Sequence, residues 1–243
     1  MAAYGGMAEA MDREVGRLVA HLKKTGVYDN TIFVFLSDNG AEALDPAKGF
    51  ASGLNIRFYY DTALEAVGRR NSFTAVGKGW ALASVSPLAG YKFTAFEGGL
   101  RVPLIVSWAG NRALKAGGIA PAFTHVTDIA PTLLELAGVP GHDARYRGRA
   151  VAPMQGKSLV PLLEGRAEGV RAADEALGYE LSGNAALFKG DYKLVKNLPP
   201  EGSGRWELFD IVRDPGETVD LAAAMPDRVR FHRGAVFRIV PDR

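Results

Sequence analysis

Thr31-Ile32-Phe33-Val34-Phe35-Leu36-Ser37-Asp38-Asn39-Gly40 is the stretch on which the reading of this chain turns. Its first six residues are apolar or β-branched with no polar alternation. Such a run predicts a strand buried on both faces inside an α/β sheet. It stops at Ser37-Asp38-Asn39-Gly40, which brings two side-chain oxygens to the expected carboxyl end of that strand, where open α/β sheets place their ligands. Upstream, Met7, Met11, Val15, Leu18, Val19 and Leu22 recur at spacings of three and four, which predicts an amphipathic helix. Lys23 and Lys24 suit the negative end of its dipole, and Gly26 is a natural stop. Helix, short turn at Tyr28-Asp29-Asn30, strand and polar tip make half of a doubly wound unit.

Downstream, Val102 to Trp108 predicts a second core strand, closed by Ala109-Gly110. The residues between the two strands, 41–90, read as a long excursion returning to the sheet. It carries a short helix from Arg57 to Arg70, with loops at Gly77-Lys78-Gly79-Trp80 and Ser86-Pro87. Thr127 or Asp128 is placed to cap a helix running to Leu136, with Pro131 early in it and Gly138 as its stop. A Gly/Arg-rich stretch and a short helix from Ser158 to Leu163 lead to an expected boundary near Gly165. Beyond it, Leu177–Leu181, Ala185–Phe188, Tyr192–Lys196 and Trp206–Ile211 alternate with turn residues, Gly190-Asp191 being the tightest. They predict a small antiparallel sheet, closed by a helix from Thr218 to Val229. The expectation is an α/β protein: residues 1–165 form the α/β domain and 166–243 a small antiparallel sheet with its helix.

Composition narrows the function classes. The 243 residues carry 29 Lys+Arg against 27 Asp+Glu, a net charge of +2, too balanced to point to nucleic acid. Only residues 226–243 depart, with five arginines against two aspartates. The absence of cysteine excludes a disulfide scaffold, a thiolate metal site and a cysteine nucleophile. No stretch approaches the ~20 apolar residues of a membrane span. The first 18 residues lack the pattern of a signal peptide, and no address is expected within these residues.

Asp38 and Asn39 offer a carboxylate and a carboxamide oxygen, hard donors suited to Ca²⁺ or Mg²⁺ rather than zinc. An ordinary Asn-Gly turn ending a strand accounts for the same residues. Lys92, five residues before Glu97-Gly98-Gly99, is placed either to hold an anion as a point charge or to sit as a solvated surface lysine. Glu97 and Arg101 are expected to pair and brace the Gly-Gly turn. The histidines at 21, 125, 142 and 232 fall in no metal-binding spacing, and His125 reads as a partly buried histidine ahead of a helix. Arg145, Arg147 and Arg149 read as a solvated basic loop. Neither a P-loop nor a G-x-S-x-G motif is present.

The order of motifs carries more than any one of them. DREVGRLVAHLKKTGVYDNTIFVFLSDNGAE (12–42), YKFTAFEGGLRVPLIVSWAG (91–110), THVTDIAPTLLELAGV (124–139), GKSLVPLLEG (156–165), ALFKGDYKLVK (186–196) and WELFDIVRDPGETVDLA (206–222) together resemble the type I sulfatases, specifically the carboxyl-terminal portion of a bacterial arylsulfatase. The resemblance runs from about Tyr4 to Asp227. It implies an alkaline-phosphatase-like fold: a mixed sheet flanked by helices, here incomplete, with a small C-terminal antiparallel sheet. It implies hydrolysis of a sulfate monoester, and one divalent cation, Ca²⁺ first and Mg²⁺ as the alternative. Asp38 and Asn39 match two of its ligands, and Lys92 matches the lysine that contacts the sulfate and its leaving oxygen. A phosphonate monoester or phosphodiester hydrolase of the same superfamily is the first rival, and a non-catalytic remnant the second.

The resemblance also implies what these residues lack. The family's formylglycine nucleophile derives from Cys or Ser in a C/S-x-P-S-R element, which this sequence does not contain. The other metal-binding aspartates would precede the matched region too. The expectation is a piece of a longer sulfatase, without turnover on its own. Its two core strands would expose edges through which copies self-associate. Its compartment stays open: cytoplasmic as it stands, periplasmic or secreted for a longer parent. Residues 228–243 depart from the family pattern and read as a non-native tail.

Overall fold

The computed structural model describes residues 1–114, 117–139 and 145–239. His142 and the last four residues of the expected tail therefore lie outside the described residues. The elements run α1 (Ala2–Lys24), β1 (Ile32–Leu36), α2 (Phe50–Tyr59), α3 (Gly77–Val85), α4 (Glu97–Leu100), β2 (Leu104–Trp108), α5 (Ile129–Leu136), β3 (Arg145–Tyr146), β4 (Arg149–Ala150), α6 (Val160–Leu163), β5 (Ala176–Leu181), β6 (Asn184–Lys189), β7 (Tyr192–Lys196), β8 (Glu207–Asp210) and α7 (Pro226–Ile239). They fold as two compact units, one of residues 1–21, 34–105 and 176–243, the other of 22–33 and 106–175. The fold is mixed α/β, as expected. β1 pairs with β2, β3 with β4, and β5 to β8 form a four-stranded sheet in sequence order.

That four-stranded sheet holds the main core of the first unit. All three of its pairings are antiparallel, β6 and β7 joined through Gly190-Asp191 with Lys189 opposite Tyr192. Strand periodicity sends alternate residues to opposite faces. Ala186, Phe188, Val195 and Phe209 line one face and pack on Ala95, Phe96 and Leu100. Leu187, Leu194 and Leu208 line the other and pack on Leu221, Ala222, Met225 and Val229. Period two also puts Lys193 on the Val195 face, and it is fully buried there.

In the second unit Asp128 is the hub. Its fully buried carboxylate accepts from the backbone N–H of His125 (2.8 Å) and of Lys157 (2.8 Å), and from the Arg171 guanidinium through Nη1 (2.6 Å) and Nη2 (2.5 Å). His125 caps the turn before α5, its Nδ1 sharing a hydrogen with Thr127 Oγ1 at 2.9 Å. Burial lowers the basicity of that imidazole.

Several expectations need correcting. Residues 77–80 are helical, opening α3, whose Ala81 is fully buried. The helix expected over Arg57–Arg70 lies earlier, at Phe50–Tyr59. Asp61 stops it, pairing its backbone with Asn71 and Phe73 and accepting the Ala63 N–H on its carboxylate. The closing helix starts at Pro226, not Thr218. Asp214 captures the N–H groups of Thr218 and Val219, and Asp220 those of Leu208 and Ala222, so 214–222 is held as turns. Proline then starts α7, where a missing N–H costs nothing. β1 is not buried on both faces, since Phe35 is 45% exposed. The apolar stripe of α1 formed its helix but found no cover, and no residue of α1 is buried.

Candidate functional site

The site is built where β1 ends. Past Leu36 the chain bends through Asp38, Asn39 and Gly40, with Ser37 Oγ donating to the Asn39 carbonyl at 2.8 Å. Gly40 then donates its N–H to the Gly99 carbonyl at 3.0 Å. A Cβ on Gly40 would lie 1.8 Å from the Gly98 carbonyl oxygen, so only glycine lets the two turns meet. Gly98 and Gly99 are equally confined, by carbonyl oxygens of Ala89 and Gly90 on one and of Tyr91 and Thr94 on the other. The Gly-Gly pair is thus a packing requirement.

The same contact brings in Lys92. Its N–H donates to the Ala41 carbonyl at 3.0 Å, which ties the lysine's backbone to the residue after Gly40. Its Nζ lies 2.9 Å from Glu42 Oε2, and its side chain is one-third exposed. Phe93, the next residue, holds φ at 72°, a left-handed conformation that costs a bulky residue energy. Asn184 Nδ2 donates to the Phe93 carbonyl at 2.8 Å and helps hold it there.

Electrostatics keep the carboxylates of this corner ionised. The Asn39 side-chain amide hydrogen-bonds Asp38 and holds its carboxyl below the usual range, with backbone N–H groups and the Lys92 charge acting the same way against a small burial penalty. Burial pushes Glu42 upward, but the Leu44 and Ala43 N–H groups and Lys92 outweigh it, so Glu42 too stays ionised. The structure thus brings all three expected site residues to one corner and adds Glu42, which the sequence reading did not single out.

The donor set fits a share of a hard-cation shell. One ionised carboxylate and one carboxamide oxygen are right in kind for Ca²⁺ or Mg²⁺, but Ca²⁺ takes six to eight oxygens. Among the described residues, no group of three or more His, Asp or Glu side chains is placed to hold a metal ion. A formylglycine does not fit, because no cysteine exists and no serine stands in the required element.

A second cluster escaped the sequence reading. Lys193 Nζ, fully buried, lies 2.9 Å from Glu97 Oε1 and 2.9 Å from Glu217 Oε1. Glu217 Oε2 accepts the Glu97 N–H at 2.6 Å. The expected pair of Glu97 with Arg101 is also present, Nη1 lying 3.9 Å from Glu97 Oε2 on the exposed side. The missed signal was the alternation in β7, which puts Lys193 on the inward face with Val195.

Comparison with known proteins adds a family. Residues 1–139 match the family model described as Sulfatase, and residues 91–228 match the one described as N-sulphoglucosamine sulphohydrolase, C-terminal. An uncharacterized sulfatase of Schizosaccharomyces pombe is 37% identical over 231 residues, covering 93% of this chain and 41% of its own. The arylsulfatase of Klebsiella aerogenes is 36% identical over 175 residues, covering 71% of this chain and 36% of its own. The solved structure of Ps i-CgsB in complex with k-i-k-neocarrahexaose superposes with a TM-score of 0.68 at 25% identity, over 97% of this chain and 42% of that one. The phosphonate monoester hydrolase of Agrobacterium radiobacter shares the fold at a TM-score of 0.54 and 22% identity, over 98% of this chain and 40% of its own. The chain spans about two-fifths of the length of the relatives it matches.

Proposed function

Because this chain belongs to the sulfatase family, we propose that it provides part of the active site of a sulfuric ester hydrolase acting on sulfate monoesters. The observation that carries this reading is the convergence of Asp38, Asn39 and Lys92 at the end of β1, where Gly40 bonds to Gly99 and Lys92 bonds to Ala41. Asp38 and Asn39 would hold the divalent cation, Ca²⁺ or Mg²⁺. When bound, that ion supplies neutralisation of charge on the sulfate oxygens. Asp38 serves by staying ionised, and Asn39 by offering its carboxamide oxygen. Lys92 places an ammonium where negative charge gathers on the leaving oxygen. Glu42 keeps that ammonium aimed, at the cost of part of its charge. No residue of this sequence is assigned the nucleophilic attack, since the formylglycine precursor is not among them.

Two measurements test the reading. The 243-residue chain, given 4-nitrophenyl sulfate and Ca²⁺, is expected to show no turnover; turnover lost in Asp38→Ala would place the attacking group inside these residues. For the protein isolated from its native source, intact mass and a substrate profile decide the rest. A mass well above 26.0 kDa and preference for 4-nitrophenyl sulfate support the proposal. Preference for a phosphonate monoester would move the function to the sister chemistry on this fold. A mass of 26.0 kDa without turnover would favour a remnant that keeps the fold and has lost the reaction.

A further inference from the structure

The Lys193–Glu97–Glu217 cluster is unusual in its chemistry. Two carboxylates and one ammonium sit in the core of the sheet, the Lys193 and Glu217 side chains both fully buried. Lys193 Nζ also stands 5.1 Å from the centre of the Phe188 ring. Burial pushes the Glu217 carboxyl above its usual range, and polar and charged groups buried this way are seldom more stable than an apolar set of the same volume. What they add is direction: charge-assisted bonds fix an atom's place, whereas apolar contact does not. Glu217 itself adopts φ 52°, a conformation its surroundings must hold.

The direction supplied is that of one short segment. Asn197, also fully buried, accepts the Ala95 N–H on Oδ1 at 2.6 Å, and Glu217 accepts the Glu97 N–H. Lys193 holds the Glu97 carboxylate. Residues 95–97 are thus pinned at two backbone N–H groups and one side chain. Glu97 runs directly into Gly98-Gly99, whose carbonyl groups meet Gly40. From Gly40 it is one residue to Asn39 and two to Asp38. We propose that Lys193, Glu97 and Glu217 are positioning residues for the Asp38–Asn39 turn, holding the Gly98-Gly99 turn in the register that Gly40 requires. The inference rests on the reading of Asp38 and Asn39 as cation ligands, and its test separates the two.

The full chain is compared with Glu97→Gln and Lys193→Met by amide hydrogen exchange and by Ca²⁺ titration, Asp38→Ala serving as the control for the cation site. In Glu97→Gln, which keeps shape and loses charge, the amides of Gly40 and Lys92 are expected to exchange about tenfold faster, while Leu187 and Leu194 in the sheet keep their protection. Ca²⁺ affinity should fall about tenfold with them. Gly40 and Lys92 exchanging as in the parent, or only in step with Leu187 and Leu194, would overturn the proposal. So would loosened Gly40 and Lys92 amides with unchanged Ca²⁺ affinity, provided Asp38→Ala does lower it. If Asp38→Ala leaves a measurable Ca²⁺ affinity untouched, the cation reading is what fails; where the parent binds Ca²⁺ too weakly to titrate, the exchange rates alone decide whether the cluster sets the turn. Should Lys193→Met not fold, the exchange rates and Ca²⁺ affinity of Glu97→Gln suffice to decide.

Discussion

Gly40→Ala is the sharpest perturbation the site allows, because it adds one carbon and changes no charge. That carbon would lie 1.8 Å from the Gly98 carbonyl oxygen and 2.9 Å from the Gly99 Cα. Carbon–oxygen contacts settle at about 3.3–3.6 Å, so the two turns must part by more than ~1 Å. Nothing at hand yields, since each atom struck is backbone. Overpacking of this kind costs ~1–3 kcal/mol, and losing the bond from the residue-40 N–H to Gly99 adds ~0.5–1.5 kcal/mol. A loss of about 2–4 kcal/mol is therefore expected in urea unfolding, if the whole unit feels it. Amide exchange should then localise the damage at residue 40 and at Lys92, whose N–H donates to Ala41. A variant within ~0.5 kcal/mol of the parent, with both amides still protected, would refute the close approach of the turns.

Other expectations follow from the same geometry. Asp128→Asn leaves the Arg171 guanidinium, 7% exposed in its side chain, without its bidentate anion and with the longer 3.8 Å pair to Glu175, and should destabilise by up to about 3–5 kcal/mol in the same unfolding assay. Burial raises the Asp128 pKa, but the Arg171 bonds and two backbone N–H groups outweigh it and hold it below 3.8. Its contribution is then fully present above about pH 4 and is lost as pH falls through the depressed native value; a parent and Asp128→Asn pair whose difference does not shrink on acidification would contradict this. Lys92→Met removes a charge that lowers both Asp38 and Glu42. Carboxyl titration by NMR should show both moving up, and a fixed pair would mean that the lysine does not reach them. Calorimetry of the chain with Ca²⁺ should find binding on the order of millimolar or none. A tight single site would mean that the remaining ligands lie within these residues.

The site reading depends on proximity that chain order hides. Asp38 and Lys92 are neighbours only because Gly40 and Ala41 bond to Gly99 and Lys92. Tyr91 is anchored separately: its hydroxyl donates to Glu201, which also pairs with Lys78 at 2.9 Å. Lys92 therefore sits between two fixed residues, Tyr91 and the strained Phe93. A flexible side chain on an immobile backbone suits a group that must meet negative charge at one place.

What the sequence alone determined is the local part. Period two along 176–210 placed four strands within a residue or two, because alternation of side chains is a property of each strand by itself. The stop at Ser37-Asp38-Asn39-Gly40 was legible for the same reason, whereas the cap expected at Thr127 or Asp128 fell to His125, with Asp128 closing the capping box from the third position. Where side chains compete with helix bonding, as at Asp61, Asp214 and Asp220, local propensity misled, because carboxylates that capture backbone N–H groups moved the helix boundary. The tertiary structure decided the rest. It left the well-formed stripe of α1 uncovered, gave Lys92 to Glu42 and paired Glu97 with residues 96 and 120 positions away. No periodicity reaches across such separations. Those contacts exist only once the sheet has closed and apolar burial has chosen which polar groups go inside with it.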